Sequence, residues 1–355
     1  MLFFVIFIVF IICIFWKYYE YFFCVSIEEI NENSIIVIDD KVKSSKNKQA
    51  VRQKPNMKFN DLQKVTKLFE MKKWRKESLE EGGNGSFDAF CNCLAILSEE
   101  EKDFLIELTE RFELIDLPKI TEAFISSYKI LPSNITNNDG YLYVYPLTKN
   151  FKQTHDKSTG FKSFKLIGGH TKSAESLYYQ ISTQSSCLTQ TYENIIFSKD
   201  YSLNKIFKKF NFEKDILLLI DDFTGTGETA SGICKNFLAA DYPNGNKLKP
   251  SNIIILTLAA QQQAIDNIGK LGIEVYANIV RKKAITDYYP ISEISEKIKL
   301  MKNIEKKVKC NPSYTLGYTQ SEALISFYRP PNNTFPVYWQ PNKTAIFPRF
   351  PKKSV

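Results

Sequence analysis

The chain has 355 residues, 44% of them hydrophobic, which is enough for one large or two modest domains with a buried core. Its seven cysteines are scattered and odd in number, and its two histidines cannot complete a zinc pattern, which argues against a disulfide framework or a structural zinc site. Most of the +8 net charge lies between Lys41 and Lys58, where seven Lys/Arg meet no acid; this segment reads as a solvated linker or as an electrostatic tether to anionic lipid or nucleic acid, although no specific nucleic-acid motif accompanies it.

Residues 2–16, "LFFVIFIVFIICIFW", are unbroken apolar sequence, followed by Lys17 and "YYEYFF". A membrane span needs about 20 apolar residues. Trp16, Tyr18 and Tyr19 have the character of an interfacial aromatic belt, and Lys17 can snorkel, which lengthens the usable run. A cleaved signal peptide would want a positive charge before the run and small residues after it, and neither is present. Residues 1–25 are therefore expected to be a single transmembrane anchor contacting the membrane through residues 2–25. Basic residues follow the run but do not precede it, which places the rest of the chain in the cytoplasm. Residues 26–59 read as a basic linker.

From 60 to 139 the pattern is helical. "FNDLQKVTKLFEMKKW" is expected to place Leu62, Val65, Leu68, Phe69 and Met71 on one face. "SEEEKDFLIELTERF" opens with Ser98 and three acids, a good helix start, and "EEGGNGS" separates the two segments as a loop.

After Gly140 strands and helices alternate. "YLYVYPL" reads as a strand, a loop rich in Lys, Thr, Ser and Gly follows, and "AESLYYQIST" reads as a helix. "ENIIF", "ILLLI", "NIIILTLAA" and "IEVYANIV" are further strands, with helices at "SLNKIFKKF", "TASGICKNFLAA" and "QQQAIDNIGKLG". This alternation predicts an α/β fold, a mainly parallel five-stranded sheet flanked by helices, spanning 140–345 and preceded by an N-terminal helical extension. The segment from 311 has no helical period, but its apolar content predicts that it packs. Residues 346–355 form a basic tail.

"ILLLIDDFTGTGETAS", residues 216–231, sets two adjacent acids at the end of an apolar strand. In open α/β sheets, ligands sit beyond the carboxyl ends of the strands. Glycines let a backbone approach a ligand, and helix-start amides with threonine hydroxyls make an anion site. Asp221 and Asp222 beside such a site fit a ligand that carries hydroxyls or a metal as well as an anion: an acceptor pair can hold a diol, and Mg²⁺ favours oxygen ligands. A ribose 5-phosphate satisfies both halves. A Walker A loop fails because Glu228 stands where its lysine belongs, and a dinucleotide fingerprint fails because Gly225 and Gly227 lack a third glycine. An acidic strand end capped by a Thr/Gly turn is the plain structural alternative.

"LLLIDDFTGTGET" resembles the 5-phosphoribosyl-1-diphosphate (PRPP) signature of type I phosphoribosyltransferases. "GYTQSEALISFYRPPNNTFPVYWQ", residues 317–340, is similar to a stretch of a divergent subgroup, the PRTase-CE domains of bacterial conflict and defence systems, in which a segment like "HTKSAESLYY" also precedes the acidic motif. The resemblance implies that Asp221 and Asp222 hold the ribose hydroxyls as the catalytic pair. It implies that Thr224, Gly225, Thr226, Gly227, Glu228 and Thr229 wrap the 5-phosphate of PRPP or a ribonucleotide. Phe223 and Thr224 depart from the small aliphatic residues usual in that signature. Lys172 and Ser173 are candidates for a pyrophosphate loop, and His170 could donate to a phosphate. Mg²⁺ is implied as cofactor and a defence-system protein as partner. The activity implied is displacement at the anomeric carbon of PRPP by an unidentified acceptor, with a non-catalytic PRPP or nucleotide sensor as the alternative.

Overall fold

In the computed structural model, which describes residues 58–74, 86–115, 117–137, 139–148, 151–155, 162–166, 173–184, 194–197, 203–327, 330–340 and 344–348, the five expected strands pair into one sheet. They are β2 (Leu142–Pro146), β5 (Ile195–Phe197), β6 (Ile216–Thr224), β7 (Ile253–Gln261) and β8 (Glu274–Arg281). Their order is β5-β2-β6-β7-β8, and every pair is parallel. A parallel sheet is covered on both faces, which is why β6 and β7 are buried almost throughout and read as unbroken apolar runs.

One face packs against α4 (Leu117–Lys129) through Ile120, Phe124 and Tyr128, and against α6 (Ser173–Thr183) through Leu177, Tyr178 and Ile181. The other carries α7 (Leu203–Lys209), α8 (Glu228–Ala239) and α9 (Gln262–Gly269), with Phe207, Phe237 and Ile268 in the core between. The single turn α5 (Ser133–Thr136) joins α4 to the sheet region.

A second body of core is helical. It joins α1 (Phe59–Lys72), α2 (Ser86–Ala95) and α3 (Glu99–Glu110) to α10 (Ile291–Lys307) and to Leu316, Phe335, Val337 and Tyr338 of the C-terminal segment. α3 begins with a capping box: the Ser98 amide donates to Glu101 Oε2 at 2.8 Å, and the Glu101 amide donates to Ser98 Oγ. Glu101 also pairs with Lys307 of α10 at 2.6 Å. Two-residue strands β1 (Glu113–Leu114) and β9 (Ile325–Ser326) pair in parallel, so the segment from 311 packs as expected and is tied to the end of α3.

Three expectations need correction. The inward face of α1 is Asp61, Val65, Leu68 and Phe69, whereas Leu62 and Met71 are exposed, Met71 by 57%. The 3.6-residue period carries Met71 away from Val65, and Asp61 is drawn inward by a 2.8 Å ion pair with Lys102. The loop after β2 contains an antiparallel hairpin of β3 (Phe151–His155) and β4 (Lys162–Leu166). β6 runs on through Thr224 instead of ending at Ile220. No helix among the described residues is long and apolar enough to cross a membrane; the apolar run 2–16 lies outside the described residues.

Candidate functional site

The central strand is the point where the sheet's connectivity reverses. From β2 the chain passes outward to β5, then returns across β2 to β6 and continues to β7 and β8. Such a reversal opens a crevice at the carboxyl ends of the two strands on either side of it, here β2 and β6. The two neighbours of β6 stop at different levels. β2 pairs only as far as Pro146 opposite Ile220, but β7 continues to Ala260 opposite Thr224. Asp221 to Thr224 therefore form a ladder on one side and leave the other edge open. β7 supplies the partner that extends the strand past its acids.

α6 begins over that open edge. Thr148, just after β2, donates to Glu175 at 2.8 Å and helps fix the helix start. Ser173, the first residue of α6, donates its hydroxyl to Asp222. The Asp222 amide donates to Asp221 Oδ1, and the Phe223 amide to Asp222 Oδ1, both at 2.9 Å. The two carboxyls are hydrogen-bonded to each other. Asp221 is held well above the usual carboxylate range, first by burial and then by the charge of Asp222. Burial also raises Asp222, opposed by the hydrogen bonds from Asp221 and Ser173. Burial and the adjacency of two like charges thus make both carboxyls easier to protonate than exposed ones, Asp221 most of all.

Beyond the strand, Gly225, Thr226 and Gly227 turn the chain into α8. Gly227 has φ +76°, and a methyl there would lie 3.1 Å from the Ala264 backbone, so glycine serves both the left-handed turn and the close packing of α9. Asn267 of α9 donates to the Thr226 carbonyl at 3.0 Å and fixes the loop from behind. The amides of Thr226, Gly227, Glu228 and Thr229 donate to no acceptor among the described residues, which leaves the start of α8 with free donors. Glu228 and Thr229 are exposed, while Thr224 is 5% exposed and its hydroxyl has no partner among the described residues. Phe223 belongs to the core, 6.3 Å from Phe327, so its unusual size is taken up in packing.

The expected residues 221–229 and Ser173 therefore come together at one sheet end; Lys172 and His170 lie outside the described residues. A polar cavity of about 400 Å³ lies on the outer side of the loop, lined by Thr226, Glu228, Lys235 and Thr319 among others, and does not include the acid pair. Sequence reasoning missed Asn333. Its side chain lies against Gly225, so closely that a methyl on Gly225 would stand 2.4 Å from Nδ2. The "PPNNTFP" stretch was the available signal, though nothing local in it says which loop it meets.

No curated protein and no solved structure gives a significant match to the chain. A family model does: PRTase-CE, over residues 96–349. That range covers most of the chain and takes in the whole five-stranded sheet, the acid pair with its Thr-Gly loop, and the C-terminal segment that reaches Gly225. The chain belongs to the PRTase-CE family and is a phosphoribosyltransferase-like protein.

Proposed function

We infer that this protein binds PRPP or a related ribose 5-phosphate ligand, with Asp221 and Asp222 on the ribose hydroxyls and the loop Thr224–Thr229 on the 5-phosphate. The observation that carries the reading is the acid pair on the open edge of β6, directly followed by a loop whose amides lack acceptors among the described residues. Acceptors for a diol and donors for an anion are set a few residues apart, as a sugar phosphate requires. Ser173 holds Asp222 in place beside them.

Mg²⁺ fits this donor set in a shared mode. Among the described residues no cluster of three His, Cys, Asp or Glu could hold a metal, but two carboxyls together with phosphate oxygens of the ligand suit the ion's usual demands. When bound, it would neutralise charge on a leaving pyrophosphate. In a transferase reading, the remaining demands are positional: the acid pair fixes the ribose and sets carboxyl oxygens near the cationic anomeric centre.

The full-length protein is to be incubated with PRPP and Mg²⁺, alone and with nucleobases or nucleotides. Pyrophosphate release that Asp222→Asn abolishes supports the transferase or hydrolase reading; no release with any acceptor counts against it. A non-catalytic sensor is the second reading. It is favoured by Phe223 and Thr224, which depart from the small aliphatic residues usual in the signature, Phe223 being taken up in packing against Phe327. Saturable binding without turnover supports the sensor.

The same reading places the protein on the cytoplasmic side of a membrane through residues 2–25, acting with a partner in defence. The apolar run, the aromatic belt behind it and the basic stretch Lys41–Lys58 support the anchor. A high-salt wash removes surface attachment but not an inserted span, so release of the full-length protein by salt would overturn the anchor.

A further inference from the structure

We propose that Asn333 is a ligand-contacting residue of this site, its carboxamide donating to the anionic group held on loop 225–229. This deepens the ribose-phosphate reading and rests on it.

The backbone of Asn333 is locked from three directions. Its carbonyl accepts from Ser321 Oγ at 2.7 Å and from the Ala323 amide at 3.2 Å. Gly317 packs against that carbonyl so tightly that a methyl there would lie 2.0 Å from it. The Ser321 carbonyl in turn accepts from Gln261 Nε2, at the end of β7, at 2.6 Å. A chain of hydrogen bonds therefore runs from the sheet through Ser321 to Asn333 and fixes its Cα beside the loop.

The side chain is treated differently. It is half-buried, it lies on Gly225, and its carboxamide has no hydrogen-bond partner among the described residues. A carboxamide brings two donors and an acceptor, and here the backbone holds it beside the loop with those groups open to water or a ligand. The surroundings lack the same thing. The Thr224 hydroxyl next to Gly225 is buried without a partner, and the amides of Thr226 to Thr229 have none within the described protein. Free donors of α8 and of the C-terminal segment thus lie beside Gly225, with the buried Thr224 hydroxyl one residue before it. A phosphate oxygen is the acceptor that would satisfy them together. Glycine at 225 is what lets the carboxamide approach: any side chain there would displace it.

The test uses the full-length protein and calorimetric titration with ribose 5-phosphate, on wild type, Asn333→Ala, Asn333→Asp and the loop variant Thr226→Ala, each with its melting temperature. Asn333→Ala is expected to weaken binding by about tenfold, the size of a lost hydrogen bond to a charged group, with little change in melting. Asn333→Asp keeps the shape and reverses the chemistry; it is expected to cost about a hundredfold or more, and more at low than at high salt. If wild type binds, Thr226→Ala loses binding and both Asn333 variants bind like wild type, the assignment of Asn333 is overturned while the loop reading stands. Affinity loss in Asn333→Asp that tracks a fall in melting temperature would make the residue a packing element and overturn the proposal too. No binding by wild type would overturn the ribose-phosphate reading itself, and this inference with it.

Discussion

Ser173, at the first turn of α6, donates its hydroxyl to Asp222 on β6, so the start of one helix bears on the ionisation of an acid on the central strand. The hydrogen bond favours the ionised form of Asp222 against burial, which favours the neutral one. Ser173→Ala removes the stabilising partner and raises the proton affinity of Asp222 further. Ribose 5-phosphate binding by the variant is expected to be weakest at low pH and to recover as pH rises, with Ser173→Thr close to wild type. Calorimetry between about pH 5 and pH 8 checks this; a pH-independent loss would count against a role through Asp222.

Thr224→Val replaces a buried, unpartnered hydroxyl by a methyl. Burying an unpaired polar group costs about 1–3 kcal/mol, so the variant should be as stable as wild type or more stable by about 1 kcal/mol. Its affinity for ribose 5-phosphate should nevertheless fall by about tenfold. Denaturant melts and titration on the same sample separate the two effects. A variant that loses stability would show that the hydroxyl has a structural partner instead.

Gly225→Ala and Gly317→Ala should differ sharply, though both crowd Asn333. At Gly317 the clash is with the Asn333 carbonyl and the backbone already has φ +80°, so neither side can yield. A loss on the order of 2–3 kcal/mol or failure to fold is expected. At Gly225 the clash is with the end of the Asn333 side chain, which can swing away. Gly225→Ala should fold with a smaller loss, and Asn333→Ala in the same chain should restore most of it. Thermal melts of the two singles and the double give the coupling.

Glu305, 3% exposed in the helical core, accepts from the Leu316 amide with both oxygens at 3.1 Å. Burial pushes its carboxyl from 4.5 to about 8, with the Leu316 hydrogen bond opposing. The folded chain therefore holds a proton that the unfolded chain releases. Stability is full below about pH 4.5 and falls as pH rises toward about 8, by at most about 1.4 kcal/mol per unit. Glu305→Gln keeps an acceptor for Leu316 and should flatten this slope and stabilise the protein at pH 8. Denaturant melts across this range decide the matter.

The alternation of strands and helices was legible because each element announces itself within a dozen residues. The acid pair could be placed at a strand end for the same reason. What could not be read were relationships set by distant partners. β6 continues past Ile220 because β7 does, and that register is not written in either strand alone. Asn333 meets Gly225 through hydrogen bonds from Gln261 and Ser321, none of which the local pattern of "PPNNTFP" reveals. The β3–β4 hairpin has no apolar run to mark it, and α10 lay in a stretch, 282–310, for which no element was expected, although Leu300, Met301 and Ile304 do give it an inward face. The inward face of α1 was misjudged because Asp61, a charged residue, takes a core position with Lys102.

The pairing of β1 with β9 and the seating of Asn333 on Gly225 have a temporal side. The acidic motif leaves the ribosome roughly a hundred residues before the segment that seats on it. During that interval at about 5–20 residues per second, the sheet can form while Gly225 has nothing above it and β1 has no strand to join. A chain released early by a nonsense codon or clipped before residue 317 would keep its acid pair yet lack its closing segment. Such a chain would lack both the strand that pairs with β1 and the side chain that lies on Gly225.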